Sequence, residues 1–240
     1  MEISIVIPCY NSEYYISDNL NKIYTFFKKK KIQSEIICIN DGSSDNTLLV
    51  LKKLKKKFNI KIINNKKNTG KSFSIIKGIV NSKYKNIILI DSDISYFKYL
   101  EFLIFYLQKG YDLIIANRRL PKSRLLIRDK LKIYQLLRLI IGKIIGKLIE
   151  LTLNTNVYGD TQAGLKAFRI PSKFKKKKFV SKRFFFDIEL IHFFRKANLK
   201  IKCIPVKFFI SNKSSIRIFN KVNVKIVIEL FKVITYLKRL

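Results

Sequence analysis

Short apolar runs alternate with stretches of helical periodicity along the first half of the chain. Ile3 to Pro8 is an apolar run closed by proline and predicts a buried strand. Glu13 to Lys31 places Ile16, Leu20, Ile23, Phe26 and Phe27 at helical spacing before a lysine run. Glu35 to Asn40 predicts a second strand, Asn46 to Phe58 a helix, Ile60 to Ile63 a strand and Lys71 to Val80 a helix following a glycine. Asn86 to Asp91 predicts a strand, Tyr96 to Gln108 a helix and Tyr111 to Ala116 a fifth strand. The strands are continuously apolar rather than alternating, and helices separate them, which predicts a parallel sheet covered on both faces. Ligands of such sheets sit at the carboxyl ends of the strands. Attention therefore falls on Tyr10-Asn11, Asp41-Gly42, Asn68-Thr69-Gly70-Lys71, Asp91-Ser92-Asp93 and Asn117-Arg118-Arg119.

The second half has a different pattern. Over Lys130 to Leu153 the polar and small positions Gln135, Arg138, Gly142, Lys143, Gly146, Lys147 and Glu150 recur at three and four, opposite a wide face of Leu and Ile. That pattern predicts an amphipathic helix with cationic decoration, suited either to a bilayer interface or to an ordinary protein core. Arg183 to Lys196 predicts a helix, Ile201 to Ile210 a strand, and Val222 to Leu240 a second basic amphipathic helix. The Lys175 to Lys178 run reads as a solvated turn, and no internal repeat is visible.

The 240 residues, 48% of them hydrophobic, suffice for a single α/β domain with a real core. Fifty Lys and Arg against 16 Asp and Glu give a net charge of +34, a field that attracts phosphate-bearing ligands and anionic lipid headgroups. Lys, Ile and Asn are all abundant, as AT-rich codons impose, so the charge admits such partners without selecting one. Cys9, Cys38 and Cys203 are far apart and form no C-x-x-C pair, and the expectation is reduced thiols in a cytosolic protein. Met1-Glu2-Ile3-Ser4 does not open a secretory leader. Every window of about 18 residues contains charges, so no transmembrane helix is expected. The reading is a chain that is soluble or lies on a membrane rather than crossing it.

Candidate chemistry clusters at the strand ends. Asp91-Ser92-Asp93 offers two carboxylates one residue apart, able to share a hard divalent cation that bridges two phosphates of a nucleotide. Asp41-Gly42-Ser43-Ser44-Asp45-Asn46-Thr47 opens a helix, with Asp45 as a candidate N-cap and Asp41 as an acceptor for base or ribose hydrogens. Gly70-Lys71 at a helix N-terminus suits phosphate through amide donors and a point charge, although the P-loop spacing is missing.

Ile5-Val6-Ile7-Pro8-Cys9-Tyr10-Asn11, then Ile39-Asn40-Asp41 through Thr47, then Asn68-Thr69-Gly70-Lys71, then Asp91-Ser92-Asp93, stand in an order and spacing that resemble the family 2 glycosyltransferases of GT-A fold. In the second half, Gly159-Asp160-Thr161-Gln162-Ala163-Gly164-Leu165-Lys166-Ala167-Phe168, Arg183 through Leu190, and Ser214-Ser215-Ile216-Arg217 look like the polyprenyl-phosphate sugar synthases, most of all the dolichyl-phosphate β-glucosyltransferases. The resemblance implies one glycosyltransferase domain over residues 1–240. Residues 1–120 would form the nucleotide-sugar-binding half and 121–240 the acceptor and membrane-facing half. It implies Asp91 and Asp93 as ligands of Mg²⁺ or Mn²⁺. It implies donor contacts from Pro8, Tyr10, Asn11, Glu13, Asp41, Gly70, Lys71, Asp91 and Ser92, with Arg118, Arg124 and Arg128 gripping phosphates. Asp93, Arg119, Asp160 and Gln162 would serve the transfer itself. The implied donor is a nucleotide-sugar, UDP-glucose first, the implied acceptor a polyprenyl phosphate, and the implied outcome inversion.

Two departures qualify the match. Mannose-synthase relatives usually carry Gln two places after the second Asp of the metal motif, where this chain has Ser95. Relatives often carry a transmembrane anchor, so here amphipathic helices, charge or an integral-membrane partner would hold the chain at the cytoplasmic membrane face. A lipid phosphate is already ionised near pH 7, with a second pKa of about 6, so its attack needs no strong base and the lone His192 no catalytic role. A hydroxyl acceptor in polysaccharide or lipid synthesis would instead need a carboxylate such as Asp187 or Glu189. A basic protein binding nucleic acid without catalysis leaves the motif order unexplained, and nucleic acid is not an expected partner.

Overall fold

The computed structural model describes residues 1–127, 133–172, 174, 178–209 and 221–239. Arg128, the start of the Lys130 helix, Lys175 to Lys177, Ile210, the Ser214-Ser215-Ile216-Arg217 motif and Leu240 lie outside the described residues.

Seven strands form one sheet: β1 (Glu2–Cys9), β2 (Gln33–Asp41), β3 (Ile60–Asn65), β4 (Asn86–Ile90), β5 (Leu113–Asn117), β7 (Leu165–Arg169) and β8 (Ile201–Pro205). Their order is β3-β2-β1-β4-β7-β5-β8. β1 pairs in parallel with β2 and β4, and β5 in parallel with β8. Both faces of the central strands are buried, which is why their sequences are apolar without alternation. On β1, Ile3, Ile5, Ile7 and Cys9 join the core beneath helices α1 (Ile16–Lys29), α2 (Thr47–Lys57) and α4 (Leu100–Gln108), whereas Val6 joins the core beneath α3 (Lys71–Val80) and α6 (Phe186–Lys196). Gly78 lets α3 lie close on the sheet, since a Cβ there would collide with side-chain atoms of Val6 and Ile39.

The sequence pattern missed β7. This strand inserts antiparallel between β4 and β5, so the sheet is mostly parallel with one antiparallel strand, flanked by helices as expected for a GT-A fold. Its Gly-rich approach and central Lys166 hide it from a search for apolar runs. The predicted strand over Ile201 to Ile210 breaks at Pro205, which cannot donate to a ladder. β9 (Lys207–Phe208) then pairs with β6 (Arg124–Leu125) in a two-stranded sheet. The helix expected from Tyr96 starts with a 3₁₀ turn at Phe97–Tyr99, and the one expected from Arg183 begins at Phe186.

Helix α5 (Ile133–Leu153) turns inward a narrow line of mixed residues, while Arg138, Lys143 and Lys147 of its polar stripe are exposed. Gln135, Gly146, Ile149 and Leu153 are buried, while Ile133, Leu136, Leu137, Ile140, Ile141, Ile144, Leu148 and Leu151 are exposed, Leu151 by 75%. Helix α7 (Lys221–Lys238) covers Ile149 and Leu153 with Leu230, Val233, Ile234 and Leu237, leaving Val227, Ile228 and Phe231 exposed. No described helix is long and apolar enough to cross a membrane. The three cysteines are free thiols.

Candidate active site

The carboxyl ends of β1, β2, β4 and β5 gather the residues singled out in the sequence. Asp91 follows β4 directly, and its amide donates to the Gly164 carbonyl across the β4–β7 pair at 2.9 Å. The approach is so close that a Cβ on Gly164 would overlap the Asp91 carboxylate at Oδ2. Oδ1 faces the other way and meets Lys71 Nζ at 2.6 Å. Asp93 is exposed at the rim, where its Oδ1 accepts the Ser95 amide at 3.0 Å. Ser92 turns inward to the Ser12 hydroxyl at 3.1 Å, and its carbonyl accepts from Asn19 Nδ2 at 2.9 Å. The Asp-Ser-Asp turn is thereby pinned at its centre and open at its two carboxylates.

Lys71 begins α3. Burial works against its charge, but Asp91, Asp187 and Asp93 outweigh that cost and hold its pKa above the ordinary value. Two carboxylates one residue apart suit a divalent ion that keeps most of its shell for phosphates and water, once Lys71 yields its place at Asp91. No group of three or more His, Cys, Asp or Glu converges among the described residues. Asp91 and Asp93 are the residues that would hold a Mg²⁺ or Mn²⁺ ion, whose other ligands would come from substrate and solvent.

Asp41 ends β2, almost wholly buried. Its Oδ1 accepts from Asn65 Nδ2 at 3.0 Å, the Thr69 amide at 2.9 Å and the Thr69 hydroxyl at 2.7 Å, while Oδ2 accepts the Gly70 amide at 2.9 Å. Burial pushes the carboxyl up, and these donors outweigh it and hold its pKa below the ordinary value. Asp41 therefore braces the loop into α3 rather than standing open to a ribose.

The β1 loop is stitched to the turn after β2. Asn11 Oδ1 accepts the Ser44 amide at 2.9 Å, the Glu13 amide donates to Asp45 at 3.1 Å, and Glu13 Oε2 accepts the Asn46 amide at 2.9 Å. Asp45 also accepts the Thr47 amide at 3.0 Å, although the cap position itself falls on Asn46. Pro8 is half-buried, and Tyr10 and Asn11 are exposed beside this clasp.

The N-terminus of α3 corrects one sequence expectation. Its amides are not free for a phosphate, because Ser72 N donates to the Arg183 carbonyl at 2.9 Å and Phe73 N to the Lys182 carbonyl at 3.0 Å. Gly70, at φ 103°, admits this docking, since a Cβ there would lie 2.6 Å from the Lys182 oxygen. The docked segment is held from behind. Glu189, fully buried, accepts the Val180 and Ser181 amides at 3.0 and 2.6 Å, and Glu229 accepts the Lys182 and Arg183 amides at 2.6 and 2.7 Å.

The arginines after β5 form a second buried network. Asp160 has 0% exposure and accepts from Arg118 three times: from N at 2.6 Å, Nε at 3.0 Å and Nη2 at 2.6 Å. Burial would raise the Asp160 pKa, and Arg118 outweighs it and holds it low. Burial likewise opposes the Arg118 charge, and Asp160 with Tyr96 pushes its pKa further up. Arg119 donates to the carbonyls of Gly159 and Gly142, tying the loop before β7 to α5. Glu150 Oε2 receives Thr155 Oγ1 at 2.7 Å and the Gly159 amide at 2.9 Å. Asp160 and Arg119, expected to touch sugar or phosphate, are thus engaged in shaping this loop, because a buried charge needs its full set of partners. Gln162 and Arg124 are exposed.

Sequence reasoning missed Lys166. Almost fully buried on β7, it reaches Asp187 Oδ1 at 2.7 Å and the Ala163 carbonyl at 2.7 Å. A lysine in an unrecognised strand reads as a solvated charge; only its place inside a T-Q-A-G-L-K-A-F segment hinted otherwise. His192 is buried on α6 and lines a cavity of about 520 Å³ with Arg195, Lys196 and Asn154, at the opposite end of the sheet from Asp91.

The family model for glycosyl transferase family 2 matches residues 4–170. The chain belongs to this family. A dolichyl-phosphate β-glucosyltransferase of Trichomonas vaginalis is 28% identical over 249 residues, 98% of this chain and 73% of that protein. An uncharacterized glycosyltransferase of Synechocystis is 30% identical over 158 residues, and a putative glycosyltransferase of Bacillus subtilis 34% identical over 158. These matches cover 65% of this chain but only 48% and 46% of those proteins, so the chain spans about half their length. Among solved structures, glucosyl-3-phosphoglycerate synthase from Mycobacterium tuberculosis with Mn²⁺ and UDP-glucose superposes with a TM-score of 0.65 at 14% identity, over 97% of this chain and 76% of that one. Staphylococcus aureus TarS with UDP-GlcNAc gives 0.60 at 17% identity, over 99% and 66%. The fold of this family 2 glycosyltransferase is accordingly GT-A.

Proposed function

We propose that this glycosyltransferase moves a hexose, with UDP-glucose as the favoured donor, onto a polyprenyl or dolichyl phosphate at the cytoplasmic face of a membrane. The observation that carries the acceptor assignment is the engagement of both second-half carboxylates that could serve as a base. Glu189 is spent on two backbone amides, and Asp187 is ion-paired with the buried Lys166. Protonating Asp187 would strand the buried Lys166 ammonium, a cost of several kcal/mol. An acceptor that arrives ionised avoids that cost.

In this reading an oxygen of the lipid phosphate attacks the anomeric carbon from the face opposite the leaving group. The new C1–O bond forms as the bond to the diphosphate breaks, the departing diphosphate keeps the electron pair, and the configuration inverts. A divalent ion held by Asp91 and Asp93 would neutralise charge on that diphosphate. Tyr10, Asn11, Pro8 and Ser92 line the donor end of residues 1–120. Asp41 and Glu13 fix their loops, Arg118 is held by Asp160, and Arg124 and Gln162 are exposed in the half formed by 121–240. Support for the donor comes from the solved relatives that carry UDP-glucose or UDP-GlcNAc, and for the lipid from the full-length likeness to a dolichyl-phosphate β-glucosyltransferase. The outward apolar face of α5, flanked by Lys143 and Lys147, supplies a surface for the membrane.

A hydroxyl acceptor is the second reading, favoured by the 34% identity, over 38% of this chain, to poly-β-1,6-N-acetyl-D-glucosamine synthases of Staphylococcus. A radiolabelled UDP-sugar screen with polyprenyl phosphate, with Mg²⁺ or Mn²⁺ and with EDTA, separates them. Metal-dependent label in the lipid phase is expected. Label entering only hydroxyl acceptors would overturn the assignment.

A further inference from the structure

We propose that Lys71 is the resident counter-cation of the donor site: it holds the divalent ion's place at Asp91 until a nucleotide diphosphate draws it away, so that nucleotide and cation bind as a coupled pair. The proposal rests on the donor-site reading above and concerns how that site loads.

Three observations carry it. First, Lys71 stands at the first position of α3, where the helix dipole disfavours a cation, and the nearby amides are already capped by Lys182 and Arg183. The ammonium is held there by Asp91 at 2.6 Å. Secondly, Lys71 occupies Asp91 Oδ1, while Oδ2 lies against Gly164. A Mg²⁺ ion needs its carboxylate oxygen at about 2.0–2.1 Å, which would set two cations against each other on the same atom. Thirdly, the other carboxylates that act on Lys71, Asp187 and Asp93, are engaged elsewhere. Asp187 is claimed by Lys166 at 2.7 Å, while Asp93 is turned to the Ser95 amide. A lysine on a flexible stem, its side chain about one-third exposed at 32%, is a compact point charge suited to a diphosphate.

The consequence is reciprocal. A diphosphate that takes the ammonium frees Asp91 Oδ1 for the ion, and an ion at Asp91 frees Lys71 for the diphosphate. Each ligand then raises the affinity for the other by the same factor. Without nucleotide, Lys71 offsets the charge of Asp91 and the site binds stray cations weakly.

The test measures Mn²⁺ binding to the full chain by electron paramagnetic resonance, with and without UDP. The wild type should bind Mn²⁺ weakly alone and more tightly with UDP. Lys71→Met should bind Mn²⁺ alone about tenfold more tightly than wild type, and the gain conferred by UDP should shrink by a similar factor. Lys71→Gln gives the same readout through a shorter polar side chain should the Met variant fold poorly. In EDTA, Asp91→Asn should tighten UDP binding in the wild-type background and do so much less with Lys71→Met, a double-mutant coupling that simple loss of negative charge does not produce. Folded Lys71 variants with unchanged or weaker Mn²⁺ affinity would overturn the counter-cation role. A wild-type chain that binds neither UDP nor Mn²⁺ would instead sink the donor-site reading beneath it.

Discussion

Asp93 and Gly164 show how far single residues can be read. Asp93 is exposed, and its one internal hydrogen bond accepts the Ser95 amide, which the amide oxygen of Asn can also accept. Asp93→Asn should therefore abolish transfer while leaving the melting temperature within about 1–2 °C, since surface changes of this kind stay within about 0.5 kcal/mol. Near-normal turnover by the folded variant would remove Asp93 from the metal site. Gly164 is needed because the Asp91 carboxylate occupies the volume of its missing side chain. Gly164→Ala should displace that carboxylate and cut kcat about 100-fold, with an overpacking cost of about 1–3 kcal/mol in urea unfolding. The motif Asp91-Ser92-Asp93 was legible because chemistry requires paired carboxylates at a strand end. The need for glycine at 164 was not, since it arises from a strand pairing that joins residues far apart in sequence.

At the scale of elements, α5 carries the lesson. Its period was plain in the sequence, yet periodicity alone does not say which face turns inward. The side bearing Gln135, Gly146, Ile149 and Leu153 packs inside because Gly146 lies against Arg119 and Gly159 and Glu150 caps the turns leading to β7. The apolar face is left outside. Replacing Ile140 or Ile144, both exposed, by Glu should lower co-sedimentation with anionic vesicles at least fivefold, each charge at an apolar interface costing on the order of 1 kcal/mol or more. Unfolding free energy should stay within about 0.5 kcal/mol; equal vesicle binding by both variants would remove this face from the membrane reading. Asp187→Asn belongs here too, because it joins α6 to β7. If the acceptor is a phosphate, kcat in a folded variant should fall less than about tenfold, whereas removal of a general base costs about 10²- to 10⁴-fold.

For the whole molecule, the excess of positive charge sets the response to salt and acid. Vesicle binding should weaken as ionic strength rises and the Debye length shrinks. Two acidic groups, Asp41 and Asp160, have folded pKa values held below their ordinary ones, so each contributes stability that is complete above the unfolded carboxylate value of about 3.9. That contribution is lost as pH falls through the lower folded values. Urea midpoints should hold down to about pH 5 and then decline steeply, and the decline should be shallower in Asp41→Asn, which starts from a lower midpoint at pH 7. What the sequence determined by itself was the alternation of buried strands and helices, and with it the rim where polar residues after each strand collect, because both follow from local periodicity and the exclusion of apolar side chains from water. The tertiary structure alone decided that β7 runs antiparallel through the centre of the sheet, that Lys166 and Asp187 neutralise each other, and that the amides opening α3 are spent on Lys182 and Arg183. Those outcomes depend on contacts between separate elements, from 21 residues apart for Lys166 and Asp187 to 111 for Ser72 and Arg183, and no local pattern encodes which partner a buried charge or amide will meet.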